Sequence, residues 1–529
     1  MNGCPCTGGG ACDPGLVCNE SLVCEQGAAD ASASTSGETT ASASGETGTS
    51  EGETSGEETT VAPPECVDEG TLEENKDCKQ ADRTRPFCED GACVACKSDK
   101  QCADATTTLR PICQMDGENA GACVECNATN AIEAGQCDEE RPHCNLDLDK
   151  YTCEGCLEHS ECPGTACDVK QRKCFPQDRV LYVRYGPAPN QPCTFDVNTG
   201  GGPGNPYCDM ATAIASAQIA GKTSGWTFVI MSSKANIDQS PFSMSGGGDT
   251  QLAYAMVHEP GTLFDTHTTF LGFGPVVTVN SGVRLYMVDF TVRVENMAWV
   301  DGHFGISCNE DAEIWLDDSR VLYSRGPGIR ANGCDIHLRR SSIAFGRSEG
   351  IEINGGSLQM LNSFIDENGS NEEFGGGGIR MSGGAVAEVV YSTLANNVNT
   401  MLTGEGDTVH CDGPVTLDIR NSIFAHGPNT GNNSIVCAEG QISVSNSVVD
   451  GDFGNEGNNH KLAAETILMS LFPSSNDGTY RIPNIMAAEE FRDRAVWRYG
   501  DPRQDFERQD RNAFDGMADF AGADYFPED

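Results

Sequence analysis

Seven residues recur at intervals of 22 to 30 positions, each in the same place of a short repeated phrase: Tyr286, Trp315, His337, Gln359, Glu388, Asp418 and Ser443. The aromatics at one end offer faces on which a sugar ring can stack. At the other end, Glu388 and Asp418 are carboxylates that neighbouring turns of a repeat would bring together. Two carboxylates so placed can cleave a glycosidic bond with retention, share a Ca²⁺, or face water as an ordinary polar surface. The solvated face is the commonest outcome. Tyr286, Trp315, His337, Glu388 and Asp418 are therefore candidate carbohydrate- or ion-binding residues, and no residue is assigned as catalytic. A second row, Arg330, Glu352, Arg380 and His410, alternates in sign as surface ion pairs do.

The elements that position these residues are legible in the phrase itself. Apolar and polar residues alternate, then comes a serine, then another apolar residue. Examples are Ile314-Trp-Leu-Asp-Asp-Ser319-Arg-Val321, Ile336-His-Leu-Arg-Arg-Ser341-Ser-Ile343 and Leu417-Asp-Ile-Arg-Asn-Ser422-Ile-Phe424. The serines Ser319, Ser341, Ser363, Ser392, Ser422 and Ser447 are 22, 22, 29, 30 and 25 residues apart. A serine-less copy precedes them at Leu285 to Val292. A second phrase keeps step: Gly305-Ile306, Gly328-Ile329, Gly350-Ile351 and Gly378-Ile379, then Val409 and Ile435. Two strand phrases locked in phase, with insertions in some copies only, are the coils of a solenoid. Period-2 alternation sends one side chain inward and the next outward. The serine row falls at a turn, where hydroxyls bond backbone or one another. No nucleophile-elbow context surrounds any of them. Asp317-Asp318 is the nearest acidic pair, and its neighbours one coil on are Arg339-Arg340.

From about residue 180 the chain resembles the pectin-lyase-like superfamily of right-handed parallel β-helices. Leu181-Tyr182-Val183, Asn205-Pro206-Tyr207 and the helical stretch 209–220 are similar to that family's first strand and N-terminal capping helix. Asp505 to Arg511 with Asp519 to Tyr525 is similar to the closing segment of bacterial surface β-helix proteins. The resemblance implies an all-β fold over residues 178–529, with a closing segment at about 480–529. It also raises the activities of the family, polysaccharide lyase or glycoside hydrolase. The lyases' acidic calcium cluster with its arginine base, and the hydrolases' aspartate set, are not assembled on consecutive coils. In this register Cys411 and Cys437 sit on adjacent coils, Cys334 lies one coil beyond Cys308, and Cys193 and Cys208 lie together in the cap. Three local disulfides are expected.

Ahead of the solenoid the chain is a different material. Of 27 cysteines, 21 precede residue 175, a density that suits an oxidising, extracellular setting. Residues 1–27 form a small cysteine-rich segment. Residues 28–64 are Ala, Ser, Thr, Gly and Glu with seven acidic residues and no basic one, the composition of a disordered, self-repelling linker. Residues 65–177 hold four repeats of four cysteines: Cys66/78/88/93, Cys96/102/113/123, Cys126/137/144/153 and Cys156/162/167/174. Their Cys-x-x-Cys junctions also fit zinc ribbons. The remaining cysteines need partners too, however, and histidines are few, so disulfides are favoured, with connectivity open. The set resembles cysteine-rich repeats of secreted proteins from large-genome, predatory-type bacteria. Met1-Asn2-Gly3-Cys4 carries no apolar signal core, and an upstream start is expected. Cys4, the odd cysteine, is a candidate for lipidation.

Net charge is −45, from 79 acidic and 34 basic residues, which opposes binding to nucleic acid or an anionic membrane. No stretch is apolar enough for a membrane span. These observations together predict an exported, cell-surface protein. Its β-helix is read as a non-catalytic rod that binds a polysaccharide or a surface partner, with no cofactor beyond a possible Ca²⁺. A lyase or hydrolase is the first alternative, and a purely structural spacer the second.

Overall fold

Thirty-residue units of the cysteine-rich type bury too little apolar surface to fold unaided, so cross-links must carry them. In all four repeats the third and fourth cysteines face each other across a two-stranded antiparallel hairpin, as Cys88/Cys93, Cys113/Cys123, Cys144/Cys153 and Cys167/Cys174 do. They do not bond to each other. The first cysteine bonds the third and the second bonds the fourth: Cys96–Cys113 with Cys102–Cys123, Cys126–Cys144 with Cys137–Cys153, and Cys156–Cys167 with Cys162–Cys174. Cys78–Cys93 is the corresponding second bridge of the first repeat. This crossed pattern clamps each hairpin from both sides. Each closed loop of such length restricts the unfolded chain by about 3 kcal/mol.

The computed structural model describes residues 16–18, 24–26, 78, 86–89, 92–104, 112–115, 122–126, 136–137, 141–145, 152–184, 192–220, 225–231, 241–246, 252–258, 268–272, 274–294, 303–369, 377–399, 408–427, 434–437, 439–450, 457–474, 479–482, 489–498, 500–511 and 515–524. The expected linker over 28–64 and the candidate lipidation site Cys4 lie outside the described residues. The chain divides into two compact units, Met1–Ala62 and Pro63–Asp529. In the first, Leu16–Cys18 pairs antiparallel with Cys24–Gln26, Cys18 opposite Cys24.

In the second unit, from Val180 onward, the chain winds as a parallel β-helix. Each mature coil gives three strands. Ile379–Ser382, Val386–Val390 and Thr393–Asn397 are one set, and Val409–Asp412, Val415–Arg420 and Ile423–His426 are the next. The first and second strands join into one 16-stranded sheet, because Ile329–Arg339 and Ile351–Leu361 run unbroken through the corner between them. The third strands form a separate nine-stranded sheet. Inward residues stack rung on rung, as in Leu285, Ile314, Ile336, Leu358, Ala387 and Leu417, and all are buried.

The corner between second and third strands explains the serine phrase. The residue before each serine takes a left-handed backbone: Asp318, Arg340, Asn362, Tyr391, Asn421 and Asn446, with φ between 44° and 57°. Asn and Asp tolerate that region best, and they fill four of the six positions. The serine then closes the turn. The N–H of Ser319 donates to Ser341 Oγ at 3.1 Å, and the N–H groups of Ser341, Ser363, Ser392 and Ser422 donate in turn to the serine one coil on. Each hydroxyl donates to a carbonyl two residues back, for example Ser341 Oγ to the Arg339 carbonyl at 3.0 Å. The glycine of the other phrase is a matter of space: a Cβ at Gly328 would lie 2.6 Å from the Gly350 carbonyl oxygen of the next coil.

Three disulfides tie the helix: Cys193–Cys208 in the N-terminal cap, and Cys308–Cys334 and Cys411–Cys437 between adjacent coils. The capping helix Met210–Ile219 starts at Asp209, whose carboxylate accepts the Thr212 N–H at 2.7 Å. Met210, Ala213, Ile214 and Ala217 are its buried side.

Two rungs went unrecognised in the sequence, Trp226–Met231 and Leu252–His258, which are the second and third of the large sheet. Every residue of the first is buried. The polar half of the alternation is absent because the outward face is covered.

Candidate functional site

The outward side chains of the second strands form one row. Ala255, Tyr286, Trp315, His337, Gln359, Glu388, Asp418 and Ser443 are successive rung partners, one per coil. The repeat spacing therefore places all five candidate residues on one line. They do not share one environment.

The fourth cysteine-rich repeat lies on the early end of the row. Ala166 and Phe175 of the repeat pack with Ala253, Ala255 and Tyr286 of the helix. Tyr286 is fully buried: its hydroxyl donates to Asp168 at 2.8 Å and accepts the Lys170 N–H at 3.2 Å. Burial and the adjacent Asp168 carboxylate push its phenol up. Tyr286 is not on a free face, and Trp315 is half-buried against the same repeat. The physical reason is that an outward aromatic on a solenoid can cover a neighbouring module as readily as a sugar.

Around these aromatics is a charged network that the row alone does not reveal. Glu313 receives Arg284 Nε at 2.9 Å, Lys170 Nζ at 2.7 Å and Trp315 Nε1 at 2.9 Å, with His337 Nε2 3.5 Å away. Arg284 also donates to both oxygens of Asp168, at 3.1 and 3.2 Å. Burial would raise the Glu313 carboxyl, but hydrogen bonds from His337, Lys170 and Arg284 hold it well below the ordinary carboxylate range. Next to it, Asp317 is lowered to about 2, because Arg339 and Arg340 outweigh its burial. Arg340 Nε donates to Asp318 at 2.9 Å, so the Asp317-Asp318 and Arg339-Arg340 pairs do meet on adjacent coils. Arg284 over Glu313 was legible as opposite charges one coil apart. Asp168 and Lys170 carried no such signal.

Beyond Trp315 the row opens. Trp315 stacks on His337 with ring centres 3.8 Å apart. His337 Nδ1 meets Gln359 Oε1 at 3.2 Å, and Gln359 Nε2 donates to Glu388 at 3.2 Å. The Glu388 side chain is 42% exposed and lies 3.7 Å from Arg420, which bonds the buried Asp501. Asp418 and Ser443 are exposed. Asp501 belongs to the C-terminal segment, which runs along the side of the coils as a strap. Val496 and Asn421 exchange two hydrogen bonds, at 3.0 and 3.1 Å. Arg511 sits 4.2 Å over the Tyr391 ring, and Arg508 reaches Asp318 at 2.7 Å. Trp497, Phe491 and Phe520 pack with Phe364, Tyr391 and Ile423 beneath it. The open row thus has the fourth repeat at its early end and the strap's Asp501 beside Arg420.

The second row is an ion-pair ladder. Arg330 bonds Glu352 at 2.6 Å, Arg380 bonds Asp412 at 2.6 Å, and His410 meets Asp412 at 2.9 Å.

A family described as one of unknown function, DUF8331, matches residues 53–180, the stretch that holds the cysteine-rich repeats. No curated protein matches the chain. Among solved structures, the crystal structure of pectate lyase Pel9A is similar at 12% identity, over 65% of this chain and 96% of that one, with a TM-score of 0.27.

Proposed function

We propose that this chain is an exported surface protein whose β-helix holds out the His337–Gln359–Glu388–Asp418 row as a binding face for a hydroxyl-rich partner, a polysaccharide above all, without cleaving it. The observation that carries this reading is the continuity of the open row. Polar groups recur once per coil, joined by hydrogen bonds from His337 to Glu388, on a strand lattice stiff enough to hold them at a fixed repeat. A polymer of repeating hydroxyls is matched by a repeating set of donors and acceptors. The paired disulfides of the repeats suit an oxidising location, which supports export. The charge of −45 favours neutral or amino-bearing glycans over polyuronates.

The test is a glycan array probed with the full chain, with and without Ca²⁺, beside its Gln359→Ala and Glu388→Ala variants. The expected result is binding that both substitutions weaken. Binding that neither substitution changes, or none at all, contradicts the proposal. The lyase or hydrolase reading draws on one observation, the rung pairing of Glu388 with Asp418. It requires new reducing ends or unsaturated products that vanish in Glu388→Ala and Asp418→Ala.

A further inference from the structure

The fourth repeat is braced differently from an inert cap. Its own fold is closed by Cys156–Cys167 and Cys162–Cys174, two cross-links that do not involve the helix. Its grip on the helix joins the apolar cluster of Ala166 and Phe175 with Ala253, Ala255 and Tyr286 to a charged rim: Asp168 on Arg284 and Tyr286, Lys170 on Glu313, and Glu158 within 3.4 Å of Arg339 and 3.6 Å of Arg340. At the centre of this contact lies His159, edge-on to the Tyr286 ring with centres 5.5 Å apart. Its Nδ1 accepts the Cys167 N–H at 3.2 Å, an arrangement open only to the neutral imidazole.

We infer that the fourth repeat is an acid-released lid over the aromatic end of the row, with His159 as its trigger. Protonation at Nδ1 turns the acceptor into a second donor facing the Cys167 N–H and breaks that bond. It also places a buried cation beside Arg339. Tyr286 meets the His159 ring edge-on, and Asp317 and Arg339 act on it through charge. The charged groups of this contact are Glu158, Glu161, Asp168 and Lys170 on the repeat, Arg284, Glu313, Asp317, Arg339 and Arg340 on the helix, and Arg508 of the strap, which pairs with Asp318. The carboxylates among them are engaged by Arg284, Lys170, Arg339, Arg340 and, for Glu161, by His143 and the Leu157 N–H. Burial, reinforced by Arg339 and only partly offset by Asp317, lowers His159 to about 4. The repeat and the helix therefore part as pH falls towards that value, and Tyr286 and Trp315 join His337 and Gln359 as one continuous face. This rests on the proposed binding row only for what the lid uncovers.

The test is hydroxyl-radical footprinting of the full chain between pH 7 and pH 4, which needs no ligand and so fails or succeeds independently of glycan binding. In the wild type, oxidation of Tyr286 is expected to rise severalfold while the core residue Tyr254 stays protected. In His159→Gln, whose amide can still accept the Cys167 N–H, Tyr286 is expected to remain protected at pH 4. The inference is overturned if Tyr286 stays protected in the wild type. It is overturned equally if His159→Gln exposes Tyr286 as the wild type does, or if Tyr254 is exposed along with Tyr286.

Discussion

The early and late coils of this β-helix are built on the same lattice and differ in what lies outside it. In Trp226–Met231 all six residues are buried, and Leu252–His258 has Ala253, Tyr254, Ala255 and Met256 buried. In Val415–Arg420 the pattern alternates strictly, with Thr416 and Asp418 exposed between buried Val415, Leu417 and Ile419. The core side of the two regions is equivalent. The outer side of Leu252–His258 meets the fourth repeat, and that of Val415–Arg420 meets water. A position in the row therefore has no intrinsic character. Ala255 and Gln359 occupy the same place in the register, yet one is fully buried and the other half-exposed.

Removing a charge breaks the comparison most sharply. Glu313→Ala leaves Arg284 and Lys170 without their shared carboxylate in a buried contact, and about 3–5 kcal/mol of stability is expected to go. Glu352→Ala on the exposed ladder is expected to cost about 0–1 kcal/mol. Thermal unfolding of both variants beside the wild type checks the contrast, and equal losses contradict it.

Acidification acts on the covered region through His159. His159 is lowered to about 4 in the fold, against an ordinary value of 6.5. Below pH 6.5 the unfolded chain takes up a proton that the folded chain refuses until about pH 4. Stability is thus fully present above pH 6.5 and falls across that window, by up to about 3 kcal/mol. His159→Gln should flatten the pH dependence of the unfolding midpoint between those limits. A slope that persists in the variant assigns the effect to other groups.

The same residue type placed at one register position in both regions gives the smallest and cleanest contrast. Ala255→Arg forces a long cation under the fourth repeat, and overpacking of about 1–3 kcal/mol is expected. Gln359→Arg, four rungs later in the row, should stay within about 0.5 kcal/mol. Denaturant midpoints compared at matched slopes decide it.

The division between covered and open rungs also sets how much could be read from the chain. The late coils were legible because one face meets water and one meets the core, which writes a period of two into the sequence. The serine row, the Gly-Ile phrase and the register of Cys411 with Cys437 all follow from that period and from tight corners. Trp226–Met231 was illegible because a strand buried on both sides has no polar alternation to show. In the candidate site, the line from Tyr286 to Asp418 was legible as spacing. The burial of Tyr286 was not, since the contact with Asp168 joins residues 118 apart that belong to different repeats. The Glu388–Arg420–Asp501 chain was hidden in the same way, with Asp501 arriving from the C-terminal strap.

The central claim is that one row of outward residues passes from a covered interface into an open face between Trp315 and Gln359. Carbodiimide labelling of carboxylates on the full chain at neutral pH, located by mass spectrometry, tests it directly. Glu388 and Asp418 should be modified readily, while Glu313 and Asp168 stay protected until the chain unfolds. Modification of Glu313 at the rate of Glu388 would contradict the account.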